Sequence, residues 1–186
     1  MTIRTFFSVD IKDKNIIKQL TQTQNEFQDV KAKINFVPPE NFHYTLKFLG
    51  DIEETIIEQL QDASEAIKFK PFTVNMHGVN CIPSKSYIRV IYVGASSGET
   101  ELQEIATQLE SISKTFGFKP AKRPFKAHLT LCRVKNVYNK KQLVDRIEQL
   151  SDTSYGEIEI DAFQLKQSVL KPTGAEYSTL FEVTAQ

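Results

Sequence analysis

Two of the three histidines in this chain open the same four-residue pattern, as His43-Tyr44-Thr45-Leu46 and His128-Leu129-Thr130-Leu131. At average residue usage, such a repetition by chance is an event of roughly one in ten thousand. On a β-strand, side chains two residues apart stand on one face, roughly 6–7 Å apart along the strand. His43 is then beside Thr45, and His128 beside Thr130. Each pair joins an imidazole, which gives or takes a proton near neutral pH, to a short hydroxyl that can donate to an anionic oxygen. Two such pairs facing each other across a cleft supply an acid, a base and two oxyanion donors with no metal. That equipment suits a phosphodiester. A single histidine in an apolar strand is more often a hydrogen-bonded core residue, and it is the repetition that favours chemistry. His77, in Met76-His77-Gly78, has no threonine after it and reads as a structural or surface residue.

The elements that must hold these residues can be read from spacing. Thr2 to Ile11 is rich in β-branched and aromatic residues and predicts a strand. Ile16, Ile17, Leu20, Phe27 and Val30 follow near helical spacing, with Asp13 as the N-cap. Pro38-Pro39 forces a turn. Phe42 to Leu49 then predicts a strand with Phe42, Tyr44, Leu46 and Phe48 toward the core, and His43, Thr45, Lys47 and Leu49 forming the floor of a site. Gly50-Asp51 is expected to close it. Asp51 and Glu54 fit a capping arrangement for a helix striped by Ile56, Leu60, Ala63 and Ile67. Phe72 to Val79 predicts a strand, Cys81 to Ser86 a turn containing Pro83, and Tyr87 to Gly94 another strand. Leu102, Ile105, Leu109, Ile112 and Phe116 mark a helix that Gly117 stops. A basic loop with two prolines, Phe118 to Ala127, leads into the second motif strand. A capped helix through Leu143, Ile147 and Leu150 comes next. The tail predicts a strand at Phe163–Ser168, a turn at Pro172-Thr173-Gly174 and a strand at Glu176–Phe181.

The two halves can be overlaid at an offset of about 85 residues, as a self-similar period: strand 3 on strand 87, helix 13 on helix 99, motif strand 43 on 128, helix 53 on 139, and strand 72 on 155. The expectation is one bilobal domain spanning 1–186, with an internal repeat of about 1–80 and 85–165 and a C-terminal hairpin at 162–184. A pseudo-two-fold relation between the halves would bring the two motif strands together.

Composition narrows the partners. With 40% hydrophobic residues and 13 Phe in 186 residues, a packed interior is within reach. Lys plus Arg equals Asp plus Glu at 23 each, so no global positive field holds a long nucleic acid. If RNA is the substrate, recognition is local, at one phosphate or one chain end. Lys119, Lys122, Arg123, Lys126, Arg133 and Lys135 cluster around the second motif and fit that picture, although charge clusters are commonly solvated loops. Cys81 and Cys132 are too few and too isolated for a disulfide framework or a zinc site. No apolar run is long enough to span a bilayer, and Met1-Thr2-Ile3-Arg4 lacks the layout of a signal peptide. The expected compartment is a reducing cytoplasm.

On these residues the sequence resembles the two-histidine phosphoesterase superfamily, and within it the RNA 2′,3′-cyclic phosphodiesterases also called 2′-5′ RNA ligases. The resemblance runs through Arg4-x-Phe6-Phe7, His43 to Gly50, Arg123-Pro124-Phe125, His128 to Val134, and the Leu165-x-Gln167-Ser168 to Gly174-x-x-Tyr177 hairpin. It implies an α+β fold of two pseudo-symmetric lobes, each an antiparallel sheet with helices on its outer face, and an active-site cleft between them. It also implies that His43 is the proton donor and His128 the proton acceptor, a choice that spacing leaves open. Thr45 and Thr130 would hold the non-bridging phosphate oxygens. Lys47, Arg133 and Phe125 are the candidate substrate contacts. Arg133 lies five residues past His128, so alternation points it to the opposite face. Either a bulge or the strand end returns it to the phosphate, or it is a structural cation.

The reaction implied is hydrolysis of an RNA 2′,3′-cyclic phosphate end to a 2′-phosphomonoester, without metal or other cofactor, with reversible 2′-5′ ligation available to the same groups. Cleavage of 2′-5′ oligonucleotides is an alternative, and a non-catalytic module binding RNA ends is another. The expected partner is RNA with a 2′,3′-cyclic phosphate terminus, tRNA fragments among the candidates. A monomer with no membrane association and no obligate protein partner is expected.

Overall fold

Among the described residues, the apolar, β-branched runs of the sequence become nine strands of one antiparallel sheet, and the striped segments become four helices. The computed structural model describes residues 1–172 and 174–186. In chain order the elements are β1 (Thr2–Asp10), α1 (Lys14–Asn25), β2 (Ala32–Phe36), β3 (His43–Glu53), α2 (Ile57–Glu65), β4 (Phe72–Ser84) and β5 (Tyr87–Ser97). They continue with α3 (Glu99–Thr115), β6 (Leu129–Val137), α4 (Lys140–Gln149), β7 (Ser154–Ile160), β8 (Ala162–Lys171) and β9 (Gly174–Thr184).

The strand order is β7-β4-β5-β6-β3-β1-β8-β9, with β2 pairing on β6. Between β3 and β6 the one paired position is Tyr44 with Leu129, so the sheet divides there into two lobes. One lobe holds β3, β1, β8 and β9. The other holds β2, β6, β5, β4 and β7. The chain crosses between them: α2 and α3 back the first lobe through β9 and β3, whereas α1 and α4 back the second through β6, β7 and β4. The α+β, two-lobed architecture expected from the sequence is what is found.

The crossing changes one expected correspondence. β4 is the outer neighbour of β5, and the strand that stands in that relation to β1 is β8. In topology the counterpart of β4 is therefore β8, not the strand at 155, because β7 lies beyond β4 on the sheet edge.

Local chemistry explains three of the helix ends. Asp13 caps α1, its carboxylate accepting from the Asn15 and Ile16 amides at 2.8 and 2.9 Å. Asn139 does the same for α4 through Gln142 N. Gly117 takes the left-handed conformation (φ +78°) just past α3, and its amide returns to Lys114 O. Three expected boundaries move. β3 runs through Gly50, which adopts φ +81°, and stays paired with β1 as far as Glu53. Asp51 consequently sits in a strand and caps nothing; a short 3-10 turn at Glu54–Ile56 leads into α2. β4 likewise continues past Val79 to Ser84 against β5, leaving Lys85-Ser86 as the turn. The turn expected at Pro172-Thr173-Gly174 includes Thr173, which lies outside the described residues.

The core lies between the helices and the face of the sheet carrying Phe7, Val9, Tyr44, Leu129, Leu131 and Phe163, all buried. Phe7 meets Phe163 and Phe181 edge-on, with ring centroids 6.1 and 6.0 Å apart. Each such side chain contributes roughly 1.5–3 kcal/mol by leaving water. This apolar layer fixes which face of the motif strands is left for polar groups.

Candidate active site

Tyr44 and Leu129 are fully buried and paired across the lobe junction, so their neighbours in sequence point to the opposite face of the sheet. Continuing that antiparallel register by one residue each way sets His43 across from Thr130 and Thr45 across from His128. The four residues expected to act together thus share one face at the junction of the lobes. All four are partly exposed there.

The two imidazoles are oriented alike. His43 Nδ1 lies 2.7 Å from Asn41 O, and His128 Nδ1 lies 2.8 Å from Lys126 O. A carbonyl can only accept, so Nδ1 carries the proton in both rings. Each Nε2 is therefore the nitrogen left for exchange with a substrate. His43 Nε2 sits 2.9 Å from Thr45 Oγ1, which pre-sets the ring and the hydroxyl in one hydrogen-bonded unit.

The surroundings of His43 bias its charge. Burial lowers its pKa below the ordinary histidine value; the Asn41 carbonyl and the Asp10 charge work to raise it, and Lys166 and His128 work to lower it. Asp10 is paired with His43 in the β1–β3 register and makes a short ion pair with Lys166. Phe6 packs against the His43 ring at 5.1 Å, and Tyr177 meets it edge-on at 5.5 Å. On the other side of the junction, Tyr92 meets His128 edge-on at 5.7 Å, and Lys126 Nζ lies 5.5 Å from the Tyr92 ring centroid.

Both motif strands carry a β-bulge at the same place. On β3, Ser8 pairs with Thr45 but Phe7 pairs with Lys47, so Leu46 is one residue too many. On β6, Tyr92 pairs with Thr130 but Ile91 pairs with Cys132, so Leu131 is. A bulge reverses the alternation beyond it. This overturns the expected faces of Lys47 and Phe48. Lys47 turns to the helix side, where its Nζ bonds Glu110 Oε2 of α3 at 2.6 Å and Lys119 O at 3.0 Å. The residue is only 5% exposed, so it is not a free cation over the phosphate. Phe48 turns to the face of Phe6 and His43 and is 61% exposed instead of joining the core.

The same bulge resolves the position of Arg133. Its partner Val90 and the Thr130 partner Tyr92 are two apart on β5, so Arg133 shares the face of Thr130 and His128. The bulged carbonyl is held, since Leu131 O accepts from Val37 N at 2.9 Å and from Gln24 Nε2 at 2.7 Å. Phe125 is partly buried against the core beside the cleft that ends at His128. His77 lies apart on β4, near Asp152 at 3.3 Å.

Sequence reasoning did not pick out Phe6, Tyr177, Tyr92, Asp10 or Lys166 as neighbours of the histidines. Phe6 and Tyr177 stand within segments that carried the resemblance, which was the available signal. Asp10 and Lys166 had none, because their position depends on pairings between strands far apart in sequence. Among the described residues, no cluster of three or more His, Cys, Asp or Glu side chains is arranged to hold a metal ion.

Comparison with known proteins bears on the same halves. The family model described as LigT like Phosphoesterase matches residues 9–92 and matches again at 93–177. A protein of Methanocaldococcus jannaschii named RNA 2′,3′-cyclic phosphodiesterase is 34% identical over 180 residues, covering 97% of this chain and 99% of that protein. Its namesake from Aeropyrum pernix is 32% identical over 170 residues, covering 91% and 97%. Among solved structures, Escherichia coli LigT complexed with 3′-AMP superposes with a TM-score of 0.82 at 21% identity, covering 100% of this chain and 99% of that one.

Proposed function

Since the chain belongs to the LigT-like phosphoesterase family, we propose that it is an RNA 2′,3′-cyclic 3′-phosphodiesterase, opening a terminal cyclic phosphate to a 2′-phosphomonoester. The observation that carries this reading is the meeting of two His–Thr pairs on one face at the β3–β6 junction, with both Nδ1 atoms committed to backbone carbonyls. The names of the relatives supply the substrate class.

In the proposed reaction, His128 Nε2 takes a proton from water as the water oxygen bonds to phosphorus. The bond from phosphorus to the 3′-oxygen breaks, and protonated His43 gives its Nε2 proton to that oxygen. Each transfer contributes about 10²- to 10⁴-fold. Thr45 and Thr130 donate to the non-bridging oxygens, where negative charge concentrates. The bound phosphate takes the Thr45 hydroxyl from His43 Nε2, and its charge favours the protonated imidazole that the donor role requires. Arg133 and Phe125 contact the substrate from either side of His128. An RNA 5′-hydroxyl in place of water, giving its proton to His128 Nε2 while His43 again protonates the departing 3′-oxygen, would join ends by a 2′-5′ bond.

We read the chain as a monomer acting on RNA ends without a protein partner, and residues 1–186 as one domain built on a repeat. The double match of the family model supports the repeat. No described helix is long and apolar enough to cross a membrane. The buried free thiols Cys81 and Cys132 support a reducing compartment such as the cytoplasm. The test is to incubate a short RNA ending in a 2′,3′-cyclic phosphate with the protein and identify the product against 2′- and 3′-phosphate standards. A 2′-phosphate supports the assignment. A 3′-phosphate, or an unchanged end, contradicts it.

A further inference from the structure

The two sides of the histidine junction differ in what lies next to the motif strand. Beside β6, the segment preceding β3 forms β2 and fills the strand's edge from Ala32 to Phe36. Beside β3, the corresponding segment preceding β6 is the loop 118–127, which forms no strand and meets β3 through Lys119 O, the acceptor of Lys47 Nζ. The result is a cleft of about 1020 Å³ that begins at Thr45 and His128 and runs along β3 to Gly50, walled by α3 and the loop. That volume reaches the upper limit of the ~300–1,000 Å³ typical of small-ligand sites, more than one terminal nucleotide needs.

The lining of this cleft is one-sided in charge. Lys114, Lys119, Lys122, Arg123 and Lys126 face it. The acidic side chain among its described lining residues is Glu110, already bonded to Lys47 and to the Ala121 amide. Lys119, Lys122 and Arg123 are exposed, and among the described residues none of them has a carboxylate partner within ion-pair distance. Phe48, turned outward by the Leu46 bulge, presents its ring on the opposite wall. A row of cations tracking a backbone, faced by an exposed aromatic ring, is the arrangement that holds single-stranded nucleic acid with little regard to base.

We infer that the cleft between β3, α3 and the 118–127 loop binds the single-stranded RNA leading up to the terminal cyclic phosphate, with the loop cations on its phosphates and Phe48 against a base. This rests on the proposed function and adds to it a preference: the enzyme acts on cyclic-phosphate ends of oligonucleotides better than on a free nucleoside 2′,3′-cyclic phosphate. The zero net charge of the chain fits a grip a few nucleotides long.

The experiment compares kcat/KM for a six-nucleotide RNA ending in a 2′,3′-cyclic phosphate with that for a nucleoside 2′,3′-cyclic monophosphate. Wild type favours the oligonucleotide, and with about two phosphates neutralised that advantage falls about sevenfold between 50 and 200 mM salt. The double variant Lys122→Ala/Arg123→Ala lowers the oligonucleotide-to-mononucleotide ratio about tenfold or more, and Phe48→Ala lowers it about fivefold. A ratio in the double variant within twofold of wild type overturns the proposal. If wild type hydrolyses neither substrate, the activity reading fails by itself, and fluorescence anisotropy of the labelled six-mer still decides the cleft. Binding weakened tenfold in the double variant supports it, and equal binding overturns it.

Discussion

Leu46 and Leu131 occupy equivalent places on the two motif strands, each the surplus residue of a β-bulge directly after the threonine. Both side chains are buried, and each bulge turns the residue two further on, Phe48 or Arg133, to the face of the histidines. The repeated tetrapeptide therefore carries a backbone feature as well as a pair of polar groups. It places the imidazole and hydroxyl, then re-aims the side chains beyond them.

That re-aiming makes Arg133 testable. With its guanidinium on the His128 face, a charge-assisted hydrogen bond to phosphate is worth about 1.5–3 kcal/mol, or about 10- to 150-fold. Arg133→Ala is expected to lower kcat/KM for a nucleoside 2′,3′-cyclic phosphate by that factor, with unchanged thermal stability. A loss of stability with kcat/KM retained would make Arg133 a structural cation.

Lys47 belongs with the scaffold. Burial acts to raise the Glu110 carboxyl, but the Lys47 hydrogen bond, the Ala121 amide and the charges of Lys47 and Lys114 outweigh it and hold the carboxyl below its usual range. Stability from this pair is present above the unfolded carboxylate value and is lost as pH falls through the lowered one. Removing one partner of a buried pair typically costs about 3–5 kcal/mol, and the partial exposure of Glu110 reduces that figure. Lys47→Ala should cost about 2–3 kcal/mol at neutral pH in urea denaturation. A change below about 0.5 kcal/mol would show that the pair does not hold α3 against β3.

His43 should titrate below the ordinary imidazole value of about 6.5, because burial dominates its surroundings. Its neutral form is favoured on folding, so its contribution to stability is full above about 6.5 and declines as pH drops toward the lowered value. NMR titration of the ring protons measures the midpoint. Inorganic phosphate should move it up. Asp10→Asn, which removes a charge that raises the pKa and leaves Lys166 unpaired beside it, should move it further down. A midpoint at or above 6.5 in the free protein would contradict the described burial.

The local elements were legible in the sequence where a single segment decides them. Asp13, Gly117 and the α3 stripe named their own helix ends and faces. The His-x-Thr repetition named the four residues at the lobe junction. What escaped was set by pairing between distant strands. The bulges at Leu46 and Leu131 exist because β1 and β5 pair across them, and strict alternation within β3 therefore misplaced Lys47 and Phe48. Gly50 reads as a stop signal in isolation, yet β1 carries the strand past it. Asp10 and Lys166 reach His43 from β1 and β8, 33 and 123 residues away in sequence, with no local mark. β2 was missed because the prolines after it dominated its neighbourhood.

His43 and His128 are here assigned as the acid and base of one phosphodiester hydrolysis, an assignment open to direct measurement. Its most direct test is the single-turnover rate on a nucleoside 2′,3′-cyclic phosphate in excess EDTA, for wild type, His43→Ala, His128→Ala and His77→Ala. Wild type and His77→Ala are expected to keep their rates in EDTA, while each motif variant falls by about 10²-fold or more with its fold intact by circular dichroism. Motif variants that keep the wild-type rate would contradict the assignment.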